Sequence, residues 1–219
     1  MISGYAFKGE DISENANGVP LLRGINITEG KIRHTADIDR FFEGKTDSLK
    51  KFFLKKDDLV LGMDGSKVGK NVALIEKRDV GSLLIQRVAR LRLKSDLSEI
   101  NFIYQNIHNS KFHRYVDIVN TSSGIPHISL KQIKHYKIGF PILSEQKKIS
   151  SFLSLLDTRI KTQNKIIEDY KLFKKGMMQK LFKQEIRFKD EEGKDYPEWE
   201  KKKLQEILNY EQPTKYLVA

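Results

Sequence analysis

Residues 140–182 read FPILSEQKKISSFLSLLDTRIKTQNKIIEDYKLFKKGMMQKLF. Pro141 has no amide proton to give a sheet, so it ends an extended segment, and Ser144 followed by Glu145 has the chemistry of a helix N-cap with an acid in the first turn. Apolar or neutral side chains then fall at Ile149, Leu153, Leu156, Ile160, Gln163, Ile167 and Tyr170. Their spacing alternates four and three, which is a heptad seam. The phase shifts near Phe173 and resumes through Met177 and Leu181. At 1.5 Å per residue such a helix is about 60 Å long, far above the usual helix length. Its seam must be buried against something. The pattern predicts a coiled-coil spacer or dimer arm, the alternative being a core helix of a bundle.

Composition bounds the rest. The 219 residues include 39% hydrophobic side chains, enough for one or two domains with real cores. No apolar run is long enough for a bilayer, and no charged-then-apolar leader follows Met1. A soluble, cytoplasmic protein with no membrane partner is expected. Cysteine is absent, which excludes disulfides and thiolate metal sites.

The net charge of +11 is unevenly spread. Residues 1–143 carry 23 basic and 16 acidic side chains, residues 144–183 carry 10 and 4, and residues 184–219 carry 7 and 9. The basic excess therefore belongs to the front domain and the helix. It suits phosphate-backbone binding, and equally a merely lysine-rich surface.

The front part reads as mixed α and β. Val19 to Leu22 and Gly24 to Ile27 are short extended pieces between turn residues, and Asp47 to Phe53 suggests a short helix. Asp58 to Gly62 and Asn71 to Glu76 are strands flanking the loop Met63 to Lys70. Leu83 to Lys94 alternates as one strand: Leu83, Ile85, Ala89, Leu91 and Leu93 share a face on which Arg87 is the exception. Helices are expected from Ser98-Glu99 through Ile107 and from about Lys111 to Val119. A polar loop, Asn120 to Gly124, precedes a short helix or turn and a closing strand ending at Ile138. Beyond the long helix, Phe188 to Trp199 is a charged linker, and Lys203 to Leu208 reads as the opening strand of a further, truncated domain.

No catalytic constellation emerges. The loop Gly62 to Asn71 imitates a phosphate-binding loop, yet Asp64 stands where its first glycine belongs and Asn71 where the magnesium-holding hydroxyl belongs. Its Ser66, Lys67 and Lys70 suit DNA contacts, or a plain surface turn. His34, His108, His113, His127 and His135 form no ligand pair at helical spacing, so no metal site is expected. Thr121, Ser122, Ser123 and His127, with Lys131 just beyond, offer the short donors that grooves and phosphates accept. A solvent-facing loop is the alternative.

Several stretches, taken in order, resemble a known family. They are Gly4 to Ile12, Gly18-Val19-Pro20, Leu22 to Ile27, Asp57 to Leu61, Val68-Gly69-Lys70, Gly124 to Ser129 and Ile138 to Pro141. Leu143-Ser144-Glu145-Gln146-Lys147-Lys148-Ile149 resembles the start of that family's long conserved helix, and Lys174 to Phe182 its exit. The family is the specificity subunit of type I restriction–modification systems, here in a half-sized or truncated form with one target-recognition domain. Trp199, Lys203-Leu204 and Glu206-Ile207 are similar to the start of a second such domain.

The resemblance implies an α/β fold: a mixed α+β recognition domain over residues 1–142, then a spacer and dimerisation helix over 143–183 that pairs as an antiparallel coiled coil. Residues 184–219 would be a linker and a truncated second domain. It further implies a non-catalytic subunit that reads one half-site of double-stranded DNA. Such a subunit docks methyltransferase subunits and, through them, the motor-nuclease subunit, and it needs no cofactor because S-adenosylmethionine binds the methyltransferase. Arg23, Ser66, Lys67, Lys70, Gln86, Thr121, Ser122, Ser123, His127 and Lys131 are the expected DNA-contacting residues, with Arg23 and Gln86 suited to guanine and adenine edges. Ile149, Leu153, Leu156, Ile160, Ile167 and Tyr170 are expected to pack a homodimer. A coiled-coil assembly or regulatory module that binds only protein partners is the rival reading.

Overall fold

Most strands in the front part are short because turn residues interrupt the apolar runs. The computed structural model describes residues 1–94, 97–120 and 124–209. They fall into two units, Met1–Ile160 and Lys161–Ala219, so that the long helix contributes residues to both. In the first unit the strands are β1 (Ile2–Ser3), β2 (Val19–Leu22), β3 (Ile27–Thr28), β4 (Lys31–Ile32), β5 (Phe41–Phe42), β6 (Leu59–Gly62), β7 (Val72–Leu74), β8 (Leu83–Leu84) and β9 (Val88–Leu91). The helices are α1 (Ile100–Ile107), α2 (Ser110–Val119), α3 (Leu130–His135) and α4 (Leu143–Phe182). A 3₁₀ helix covers Asp47–Phe52, where a short helix was expected.

One four-stranded antiparallel sheet, ordered β1-β9-β6-β7, divides two apolar cores. Period-two alternation sends Val60, Ala73 and Val88 into one core, and Leu59, Leu61, Val72, Ala89 and Leu91 into the other. The first core is closed by a second sheet, β5-β2-β8, in which β2 and β8 run parallel. The second is closed by α1, α2 and α3 through Tyr104, Phe112, Val116 and Ile133. A sheet covered on both faces needs apolar residues at consecutive positions, which explains the unbroken Leu59-Val60-Leu61. The expected mixed α/β architecture with one long helix is what the chain adopts.

Several local expectations fail, among them the extended piece Gly24 to Ile27, whose residues Gly24–Asn26 form a 3₁₀ helix. Leu83 to Lys94 is not one strand: β8 and β9 lie in different sheets, and the chain crosses between them at Gln86–Arg87, where Arg87 has φ 64°. Alternation survives in β9, while Leu83, Leu84 and Ile85 all enter one core; the break between the pieces comes from tertiary pairing that no local pattern encodes. No strand closes the domain at Tyr136–Phe140, and the chain runs extended into α4 instead. Ser144 lies one residue inside α4, which begins at Leu143. Helix caps are otherwise orthodox: Glu99 accepts from the Phe102 amide at 2.7 Å and Asn109 from the Lys111 and Phe112 amides at 2.8 and 3.2 Å.

Arg92 grips the fully buried Asp58 with two bonds of 2.6 Å, and Asp58 also accepts the Lys55 amide at 2.8 Å. The carboxylate is thus satisfied on both oxygens, which a buried charge requires. The start of α4 is held by polar contacts. Gln146, fully buried, accepts from the Glu99 amide at 3.1 Å and donates to the Leu97 and Pro141 carbonyls at 3.2 and 2.8 Å. Gln105 donates to Asp157 at 2.7 Å.

In the second unit, α4 ends with Gln184 at φ 60° and the Glu185 amide bonded back to the Lys180 carbonyl at 2.9 Å. A turn at Asp190–Lys194 follows, with Gly193 at φ 80°. Arg187 ties this segment together through the Tyr196 and Pro197 carbonyls at 2.8 and 2.6 Å. Lys203 to Leu208 contains a helical turn, α5 (Leu204–Ile207), rather than the expected strand. Among the described residues no helix is long and apolar enough to cross a membrane.

Candidate nucleic-acid interface

The site is built on the loop between β6 and β7. The Gly62 amide bonds to the Asn71 carbonyl at 2.9 Å to close the loop's base, and the Lys70 and Asn71 amides reach back to the Lys67 carbonyl at 3.0 and 3.1 Å. Gly69 has φ 78°, and any β-carbon there would meet the Val116 side chain at 2.7 Å. The loop thus lies directly on α2, at a position where a side chain would be excluded twice over. Two neighbours brace it. The β8–β9 crossing gives the Arg87 carbonyl to the Met63 amide at 2.9 Å, and the Pro126 carbonyl accepts the Gly65 amide at 3.0 Å. Asp64 and His127 form an isolated antiparallel bridge.

These braces enclose a polar cleft of about 600 Å³, lined by Arg23, Asp64, Ser66, Lys67, Asn71, Gln86 and Arg87 among others. Four residues singled out from sequence, Arg23, Ser66, Lys67 and Gln86, meet there although they span 63 positions of chain. Lys67 is bonded to Glu29 at 3.1 Å, and this bond is the main reason the Glu29 carboxyl sits below its ordinary range. Arg23 is half-buried, with Nη1 donating to the Ile38 carbonyl at 3.3 Å, so part of its fork serves the fold. Arg87 donates from Nη1 to Asp64 at 3.0 Å.

The remaining expected contacts are more scattered. His127 is exposed on the bridge beside the loop, and Lys70 is exposed at the loop's end; neither is among the cleft-lining residues. Lys131 lies in the first turn of α3, exposed. Thr121, Ser122 and Ser123 lie outside the described residues. Arg87 and Asp64 are not among the DNA-contacting residues expected from sequence. The available signal was the one basic side chain on an otherwise apolar alternating face.

A larger hollow of about 730 Å³ lies between β9, α1 and α3, walled by Leu91, Ile103, Ile107 and Ile133. Its described lining includes the cations Arg92, Lys94 and Lys134. Base edges demand both donors and acceptors, which the smaller cleft supplies through Arg23, Arg87, Asp64, Asn71 and Gln86. Among the described residues no group of three or more histidines and carboxylates is placed to hold a metal.

The seam residues of α4 behave differently along its length. Ile149 and Leu153 are half-buried, while Leu156, Ile160, Ile167 and Tyr170 are 42%, 59%, 42% and 69% exposed. Phe152, Leu155 and Ile166 widen the exposed apolar strip.

The family described as the type I restriction modification DNA specificity domain matches residues 3–170, more than half the chain. The chain belongs to that family. Its family is one of DNA-specificity units rather than enzymes. Among curated relatives, the chain is 32% identical over 165 residues to the type I restriction enzyme MjaVIII specificity subunit of Methanocaldococcus jannaschii, covering 73% of this chain and 37% of that one. It is 31% identical over 170 residues to the EcoAI specificity subunit of Escherichia coli, covering 76% and 27%. The chain therefore spans well under half the length of these relatives. The fold is shared with the type I restriction–modification S subunit from M. genitalium, with a TM-score of 0.53 at 16% identity over 82% of this chain and 42% of that one. A chain from a type I R-M system solved to explain complex assembly and conformational transition gives a TM-score of 0.57 at 14% identity, covering 83% and 42%.

Proposed function

We propose that this specificity-family chain reads one half-site of double-stranded DNA through the cleft between the β6–β7 loop, the β8–β9 crossing and Arg23. The observation that carries the proposal is the convergence of Arg23, Ser66, Lys67, Gln86 and Arg87 on one polar concavity, within a front segment of 23 basic and 16 acidic side chains. Cations position a duplex by its phosphates, and forks and amides select base edges. The exposed apolar strip of α4 supports antiparallel pairing with a second copy of the chain. Docking of methyltransferase subunits, and through them the motor-nuclease subunit, completes the proposed assembly in the cytoplasm. S-adenosylmethionine chemistry then belongs to the methyltransferase, and this chain supplies the address.

A salt series with duplex DNA tests the reading, because each neutralised phosphate steepens the fall of affinity with salt. Removing Lys67, Lys70 and Lys131 together should weaken binding by about tenfold and flatten the slope by roughly two to three charges. Removing Lys161, Lys165 and Lys171 from α4 should do less. Equal or greater loss from the helix set would move the DNA site to α4. A chain with no salt-dependent DNA affinity would favour an assembly module that binds only protein.

A further inference from the structure

We infer that Arg87 reads a guanine, and that Asp64 is a positioning residue that aims it. The inference rests on the DNA-binding reading above and names the side chain that selects the sequence.

The first observation is backbone conformation. Arg87 has φ 64°, in the left-handed region that glycine adopts freely and that arginine, unlike asparagine or aspartate, is not enriched in. The conformation is imposed from both sides. The Gln86 amide is bonded to the Tyr5 carbonyl at 2.8 Å, the Arg87 carbonyl accepts the Met63 amide at 2.9 Å, and Val88 is already in register with Gly62. The chain must turn here to leave one sheet for the other. A glycine would turn without strain, so an arginine at this point is a cost to the backbone whose return lies in the side chain. Strain of this kind gathers at sites of recognition.

The second observation is how that side chain is held. Arg87 is 65% exposed and lines the cleft, while Asp64, whose Oδ2 takes Nη1 at 3.0 Å, is 26% exposed and backbone-bridged to His127. An exposed ion pair of this sort adds little to stability, so a purely structural clamp is a poor account of it. It does restrict where the guanidinium points. A single bond to Asp64 leaves the other donors of the fork without a protein partner among the described residues. The neighbouring cations lack this combination: Lys67 ends on Glu29, and Arg23 is half-buried on the Ile38 carbonyl.

The chemistry then chooses the base. A planar fork of donors matches the two acceptors, O6 and N7, on the major-groove edge of guanine, whereas adenine presents an amino donor beside N7. Lysine at the same place keeps the charge and loses the fork.

The test is selection from a pool of random duplex DNA by the full chain, followed by sequencing, for the wild type and for Arg87→Lys, Arg87→Gly and Asp64→Asn. The wild type should enrich a half-site containing guanine. Arg87→Lys should still bind the pool but lose preference at one G·C position by about 5- to 150-fold, the discrimination of one bidentate pair, with other positions unchanged. Arg87→Gly should lose the same preference while unfolding at the same or a higher temperature, since glycine accepts this backbone. Asp64→Asn should blunt the preference partially. Variants at Arg87 that enrich the same guanine as strongly as the wild type would overturn the inference while leaving DNA binding intact. A wild type that enriches no sequence would overturn the DNA-reading proposal itself, and this inference with it.

Discussion

The two stretches of α4 share a heptad seam that keeps its phase as far as Tyr170, and they bury it to different extents. Over residues 143–160 the most buried side chains are polar: Gln146 is fully buried and Ser150 is 3% exposed. Over residues 161–182 no side chain is buried, and Ile166, Ile167, Tyr170 and Phe173 are 40% to 69% exposed. A buried glutamine is tolerable because its acceptor and both donors are used, on Glu99, Leu97 and Pro141. The recognition domain therefore fixes its helix by hydrogen bonds and leaves most of the apolar seam uncovered. Burial and hydrophobicity part company here, and the exposed apolar strip is the feature on which the proposed pairing of α4 rests.

Breaking the seam should have the largest effect. Leu156→Asp with Ile160→Asp should abolish self-association while the domain's unfolding transition stays nearly unchanged. Removing four buried aliphatic side chains from a pair of chains costs about 4–6 kcal/mol, or three to four powers of ten in Kd. Light scattering across micromolar concentrations measures it, and a wild-type mass equal to one chain throughout would refute the pairing. The anchor comes next. Gln146→Leu keeps size and helix propensity but orphans the Glu99 amide and two carbonyls, so denaturant titration should show a loss of about 2–4 kcal/mol. Self-association should survive that change wherever the chain remains folded, which sharpens the contrast.

The smallest effect concerns acidity at the anchor. Burial pushes the Glu99 carboxyl up, but bonds from Asn101, the Phe102 amide and Ser150 outweigh it and hold the group below its ordinary range. A carboxylate depressed in the folded state stabilises fully above its unfolded value of 4.5, and this contribution fades as pH falls through the lower folded value. Thermal melts between pH 7 and 3 should show it as about 1 kcal/mol or less, and Glu99→Gln should remove that part of the slope. The seam, built of neutral side chains, should show no matching step.

Sequence periodicity read α4 well because forty residues average out local accidents. It also placed β6, β7, α1 and α2, where apolar runs end on turn residues or on capping side chains such as Glu99 and Asn109. It failed at Leu83 to Lys94, since alternation looks the same whether a run stays in one sheet or crosses to another. Lys203 to Leu208 misled for a related reason: a short apolar segment fits a strand or a helical turn equally, and only its contacts decide. Within the cleft, Ser66 and Lys67 were visible as polar side chains on a loop, and Arg23 and Gln86 as side chains suited to base edges. The Arg87–Asp64 pair was not, because residues 23 positions apart meet only after β6 and β9 have paired. Gln146 belongs to the motif at the start of the helix, yet its role is hidden in the sequence, as glutamine on a helix ordinarily faces water.

The pairing of Ile2 with Arg90 sets a timetable for synthesis. Strand β1 has no partner until β9 leaves the ribosome, a wait of about 5–20 s at ordinary elongation rates of roughly 5–20 residues per second. Contacts of such long sequence separation fold slowly; β6 and β7 follow only late in that wait, and for the last roughly 1–3 s before β9 emerges their hairpin has an open edge available to any passing strand. The helix seam emerges later still, after the residues that close the sheet. The order of the chain thus delays the exposed apolar strip until the domain behind it has the means to be complete.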